Sequence, residues 1–177
     1  HQILNIEAEQ LAPAAACQLA WVNSLSKCSP SQVLLHLGVD IKSRTETLLL
    51  AQQLANFFSQ LAAEQISCQQ LAMDSALSEG EQQKFALLAQ IHVDYLYFLN
   101  SADLQDKDHA RQASLDSGDL SLDSNTKIVV LCVPEMSSFQ RKLLELCGSQ
   151  VEFIQLEFEH LANAYDDFAC VDCDVFT

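Results

Sequence analysis

One stretch, KIVVLCVPEMSSFQRKLLELCGSQVEFIQLE (Lys127–Glu157), constrains this chain's fold more than any other. A β-branched apolar run (Ile128, Val129, Val130, Leu131) ends at Pro134, and Ser137 is placed to cap a helix through Gln140, Leu143, Leu144 and Leu146. Gly148 stops that helix, and a second strand-like run follows at Val151, Phe153, Ile154 and Leu156. Strand, helix and strand within about thirty residues make a βαβ unit, with two parallel strands joined by a right-handed crossover.

Upstream, the pattern is helical. Pro13 is placed as the first residue of a helix, PAAACQLAWVNSLSKC, because its missing N–H costs nothing there. In SPSQVLLHLG, Ser29 is the expected N-cap, Pro30 the first helical residue and Gly38 the stop. His36 lies in that helix with no partner near in sequence, so it reads as packed or partly exposed. A long helix over residues 43–65 carries a stripe of Leu50, Leu54, Phe57 and Leu61, widened by Phe58. Ser67 precedes Gln70 by three residues, the spacing of a capping box. A further helix over 78–100 places Leu88, Ile91, Tyr95 and Phe98 on its buried line; His92 and Tyr97 fall off it and read as surface or contact residues.

Residues 101–126 are polar and acidic, with room for one short helix around Lys107–Leu115. An amphipathic helix, EHLANAYDDF, is expected after the second strand. The sequence therefore predicts an α/β, helix-rich fold with a small parallel sheet: a helical subdomain over 1–100, an acidic connecting segment over 101–126, and a βαβ-containing part of the same domain over 127–177.

At 177 residues the chain is long enough to bury a core without staples. Its 49% hydrophobic content excludes a disordered chain, and no apolar run reaches the roughly 18 residues of a membrane span. The opening HQILNIEAEQ has neither the basic nor the apolar region of a signal peptide and lacks an initiator Met, so the chain reads as a piece of a longer protein. A net charge of −15 disfavours unassisted binding to nucleic acid, which needs Lys and Arg to replace phosphate counterions. Of seven cysteines, Cys17, Cys28, Cys68, Cys132 and Cys147 sit in apolar patterns and read as buried small hydrophobes in a reducing, cytoplasmic setting.

Candidate chemistry is sparse. Cys170 and Cys173 have the spacing of a metal knuckle, but His160 is the only further soft ligand nearby, and structural zinc takes four. Glu157 and Glu159 with Asp166 and Asp167 would suit a metal nuclease only with a nearby lysine, which is absent, so they read as a solvated acidic face. Four dispersed glycines exclude a phosphate loop and a dinucleotide fingerprint, so no cofactor is expected.

The order of segments resembles the N-terminal, inactivated-helicase part of the AddB-like or RecB-like exonucleases, whose C-terminal domain is a PD-(D/E)XK nuclease. The resemblance is carried by LAWVNSL (Leu19–Leu25), LLLAQQLANFFSQLAAEQISCQQLA (Leu48–Ala72), FALLAQIHVDYLYFLNSADLQDKDHAR (Phe85–Arg111), the βαβ stretch to Ile154, and AYDDFACVD (Ala164–Asp172). It implies a partial P-loop-helicase-like architecture. Active helicases of this superfamily end the strand matching Ile128–Val133 in an Asp-Glu pair that holds magnesium. Here Cys132 and Val133 stand in that place, followed by Pro134 and Glu135, and a thiol and a valine do not bind Mg²⁺. The resemblance thus implies a non-catalytic scaffold for DNA end processing, with no ATPase or nuclease residues of its own. Its partner would be the rest of its parent chain, including a nuclease domain beyond Thr177, and it would meet DNA only through the full-length protein. Two rival readings stay open: an acidic helical protein-interaction module, which an exposed apolar groove along the Leu88–Phe98 helix would favour, and a small metal-binding protein using Cys170 and Cys173.

Overall fold

The structure, a computed structural model, describes residues 3, 4, 6, 8–118, 120–123, 125–131, 133 and 135–154. Among these residues it is helix-rich, with a two-stranded parallel sheet. The chain divides into two compact units, residues 6–112 and residues 1–5 with 113–177.

The larger unit is helical. Its helices are α1 (Ala14–Lys27), α2 (Pro30–Leu37), α3 (Arg44–Ala63), α4 (Cys68–Ala72) and α5 (Glu79–Asn100). The first turns of α6 (Lys107–Ser117) also belong to it. Local chemistry sets these boundaries. Pro13 is the N-cap of α1, one residue earlier than its expected place inside the helix. Pro30 is the first residue of α2, and Gly38 ends it at φ 71°, where a side chain would be strained. Ser67 and Gln70 form the expected capping box, and Ser78 and Glu81 form another at the start of α5.

Helix α1 packs against both α3 and α5, while α4 and α2 pack on α5. The core collects Trp21 and Leu25 from α1, Val33 from α2, Leu50, Ala51, Leu54 and Phe58 from α3, Cys68 from α4, and Leu88, Ile91, Tyr95 and Leu99 from α5. The buried faces are rotated slightly from the expected stripes: Phe58 rather than Phe57, and Leu99 rather than Phe98, sit in the core. Both predicted partners remain half-buried beside it.

Aromatic stacking holds this core. Trp21 stacks on Tyr95 at 4.0 Å between ring centroids and on Phe58 at 5.2 Å. Phe58 in turn stacks on His92 at 4.2 Å. The last turn of α1 is clamped to α5 by Lys27, whose Nζ donates to Asp94 at 2.9 Å and sits 4.4 Å from the centre of the Phe98 ring.

The smaller unit contains the βαβ unit in the expected order. β1 (Ile128–Leu131) pairs in parallel with β2 (Val151–Ile154), Ile128 opposite Val151 and Leu131 opposite Ile154. The crossover is α7 (Ser138–Cys147), capped by a Ser137–Gln140 capping box and stopped at Gly148. Gln150 donates its side-chain amide to the carbonyls of Asp123 and Thr126, fixing the loop that leads into β1. Leu4 bridges to Leu120 in antiparallel fashion, and Lys142 pairs with Asp116 at 2.7 Å. Along each strand half-buried residues alternate with exposed ones, so one face of the sheet is packed and the other is open.

Because Trp21 is 2% exposed and stacks on partners from two other helices, truncating it leaves a cavity that local shifts cannot close. The Trp21→Ala variant is expected to lose about 3–5 kcal/mol in urea unfolding of the helical unit. Ser137→Ala, which removes one side-chain cap in the other unit, is expected to lose only about 1 kcal/mol.

Candidate functional site

The helical unit carries an open cleft of about 820 Å³, within the range of small-molecule sites. It forms where α3 and α5 both lean on α1. Cys17 and Trp21 of α1 lie at its base, Phe58, Leu61 and Ala62 come from α3, and Ala89, His92, Val93 and Leu96 from α5. The α3–α4 turn (Gln65, Ile66) and α4 close one part, and Lys107, Asp108, His109, Arg111 and Gln112 of α6 another.

Asp106 organises the α6 side. Its Oδ1 accepts the backbone N–H groups of Asp108 and His109, each at 2.9 Å, so it caps α6. Its Oδ2 accepts the Tyr95 hydroxyl at 2.6 Å. One carboxylate therefore fixes both the start of α6 and the polar tip of a core ring. Burial, followed by this carboxylate, raises the Tyr95 pKa above its ordinary value, so the hydroxyl stays a donor.

His92 lies within this aromatic lining. The sequence periodicity placed it off the buried line, as a surface or contact residue; its ring is stacked on Phe58 and lies 5.8 Å from Trp21. Burial lowers its pKa to about 4; the nearby Asp106 charge opposes that shift and His109 adds to it. The imidazole is therefore neutral at physiological pH, and its nitrogens have no hydrogen-bond partner among the described residues.

Gln65 sits at φ 56°, a left-handed conformation that favours glycine. It ends α3 in a Schellman arrangement: the Ile66 N–H donates to the Leu61 carbonyl at 2.9 Å and the Gln65 N–H to the Ala62 carbonyl at 3.2 Å. This turn holds the Gln65 side chain in the cleft lining, where its Nε2 is buried without an acceptor. A buried donor left unpaired costs roughly 1–3 kcal/mol.

The sequence-predicted site residues lie elsewhere. Val133 is half-buried just after β1 and Glu135 is exposed, in the smaller unit. Cys132, Pro134, His160, Cys170, Cys173 and the expected EHLANAYDDF helix lie outside the described residues. Among the described residues no group of three or more His, Cys, Asp or Glu side chains is placed to hold a metal ion. Cys17, Cys28, Cys68 and Cys147 are free thiols, half-buried or buried. Burial pushes the Cys68 pKa up to about 11, so this thiol packs rather than reacts.

Sequence reasoning missed the cleft because its lining comes from segments far apart in the chain. Two signals were available. Asp106 precedes Lys107 as an N-cap should, and Lys107 and Arg111 are spaced i, i+4, which puts them on one face of α6.

Fold and site together define a helix-rich α/β chain whose helical unit carries a cleft with an aromatic base. No protein-family model, curated protein or solved structure matches it.

Two outcomes follow from this geometry. A histidine whose folded pKa lies below its unfolded value of about 6.5 binds its proton more readily in the unfolded state. His92 should therefore contribute full stability above about pH 6.5 and progressively less as pH falls toward 4, about 3 kcal/mol across the window. Urea unfolding midpoints of the wild type and His92→Phe, compared from pH 7 to 4, should differ in slope in that direction. Gln65→Gly, which relieves both the left-handed strain and the unpaired amide, should raise stability by about 1 kcal/mol in the same assay.

Proposed function

We propose that this chain is a non-catalytic, helicase-like scaffold segment of a DNA exonuclease that processes DNA ends, acting in the cytoplasm as part of a longer protein. The observation that carries the reading is the one-sided packing of the strand pair among the described residues. Parallel strands occur almost always in sheets covered on both faces, and two strands alone are marginal in water. Here β1 and β2 pair in parallel, yet Val129, Leu131 and Ile154 are 53%, 63% and 43% exposed on one face. A sheet of this kind is built to continue into further strands and a covering layer, as it would inside a helicase-like domain. The helical unit preceding the βαβ unit and the resemblance in segment order support the same reading.

In this assignment the strand that would carry magnesium-binding carboxylates has lost them. Val133 supplies no oxygen ligand, and Glu135 is exposed and without a second carboxylate beside it in sequence. The scaffold then contributes shape rather than chemistry. Its net charge of −15 leaves the grip on DNA to other parts of the protein.

A second reading, a protein-interaction module without a DNA role, has one observation in its favour. The cleft runs along α5 past Ala89, Val93 and Leu96, within the helix where an apolar groove would mark such a module. Among the described residues no helix is long and apolar enough to cross a membrane.

The reading frame beyond Thr177 decides between the two. The scaffold assignment expects a PD-(D/E)XK block there, with its acidic residues and lysine at catalytic spacing, and no ATP hydrolysis by the present chain with Mg²⁺ and DNA. A frame that stops close to Thr177, or magnesium-dependent ATP turnover by this chain, would contradict it.

A further inference from the structure

The cleft of the helical unit has no part in a scaffold role, and its lining is chemically lopsided. Much of its lining is apolar, with the ring of His92 stacked on Phe58 and Val93, Leu96, Leu61 and Ile66 around them. Three of its polar side chains have donor capacity to spare. Gln65 Nε2 is buried without an acceptor. Lys107 makes no hydrogen bond or ion pair among the described residues. Arg111 has one contact, to Asp108 at 3.5 Å, which leaves most of its fork of five N–H groups unused. The acidic members of the lining are already engaged: Asp106 accepts from Tyr95 and from two backbone N–H groups, and Asp108 faces Arg111.

The chain carries 24 acidic residues against 9 Lys and Arg, so a cleft with two available cations and no available carboxylate runs against its surface. A ligand that fits must offer acceptor oxygens and an apolar, flat body. We propose that this cleft binds a small aromatic carboxylic acid carrying a second acceptor such as an amide carbonyl. The carboxylate pairs with Lys107 and Arg111, which share one face of α6. The ring lies on the apolar wall beside Phe58 and His92, and the second acceptor takes the Gln65 amide. Gln65 thereby acquires a reason to occupy a strained position that glycine would fill more cheaply. Binding here is independent of the scaffold assignment, since every residue involved belongs to the helical unit.

The test uses the full chain and two probes of the same shape, N-benzoyl-phenylalanine and its uncharged carboxamide. Two-dimensional ¹H–¹⁵N spectra are recorded through a titration of each. Saturable shifts are expected at the Gln65 side-chain amide, the α3–α4 turn and the first turn of α6, with the carboxamide binding at least tenfold more weakly. Gln65→Leu and the double variant Lys107→Ala/Arg111→Ala should each weaken binding of the acid tenfold or more. The double variant alters groups on the rim rather than in the core, so its spectrum reports binding and not folding. Absence of saturable shifts at millimolar probe, equal binding of acid and carboxamide, shifts outside the cleft, or unchanged affinity in the double variant would each overturn the proposal.

Discussion

The helical unit depends on the stacking of Trp21 between Tyr95 and Phe58. Helix α1 touches both α3 and α5, and the indole is where those two contacts become one. Each aromatic pair contributes about 0.5–1.5 kcal/mol beyond the apolar area it buries, and the pairs are linked. The stack also fixes what is not core. Phe58 positions His92, Tyr95 positions Asp106, and Asp106 positions the first turn of α6. The lining of the cleft is thus an extension of the same packing, set by rings that cannot turn without opening the core.

The βαβ unit rests on a different constraint. Its local signals are strong: a capping box at Ser137, a stop at Gly148, a β-branched run in β1 and a second strand of equal length. Its burial is weak, because alternation along β1 and β2 packs one face and leaves Val129, Leu131 and Ile154 on the other. Local propensity without two-sided burial is unusual for parallel strands, which generally lie in sheets covered on both faces. That contrast between a helical unit packed around a core and a strand pair packed on one face is the observation behind the scaffold proposal.

Much of this architecture could be read from single residues. Pro30 and Gly38 bracket α2, Ser67 with Gln70 marks α4, and the run from Ile128 to Ile154 specifies a parallel pair, because such caps and β-branched runs act over a few residues. The site could not be read in the same way. Periodicity along α5 put His92 off the buried line, and what buries it is Phe58, 34 positions earlier in the sequence. The ambiguity between Phe57 and Phe58, about 100° apart around the helix, had the same origin, since only the position of α1 decides which ring stacks on Trp21. Gln65 gave no signal at all: nothing in its neighbours announces a left-handed glutamine in place of the usual glycine.

The central claim, a helical unit held by its own core and a strand pair packed on one face only, is tested most directly by native-state hydrogen exchange on this chain. Amides of α1, α3 and α5 should exchange only through global unfolding of their unit, whereas those of β1 and β2 should exchange through local opening, at least a hundredfold faster. Protection of β1 and β2 equal to that of α5 would contradict the account, since it would mean that packing on one face is enough to hold the strand pair.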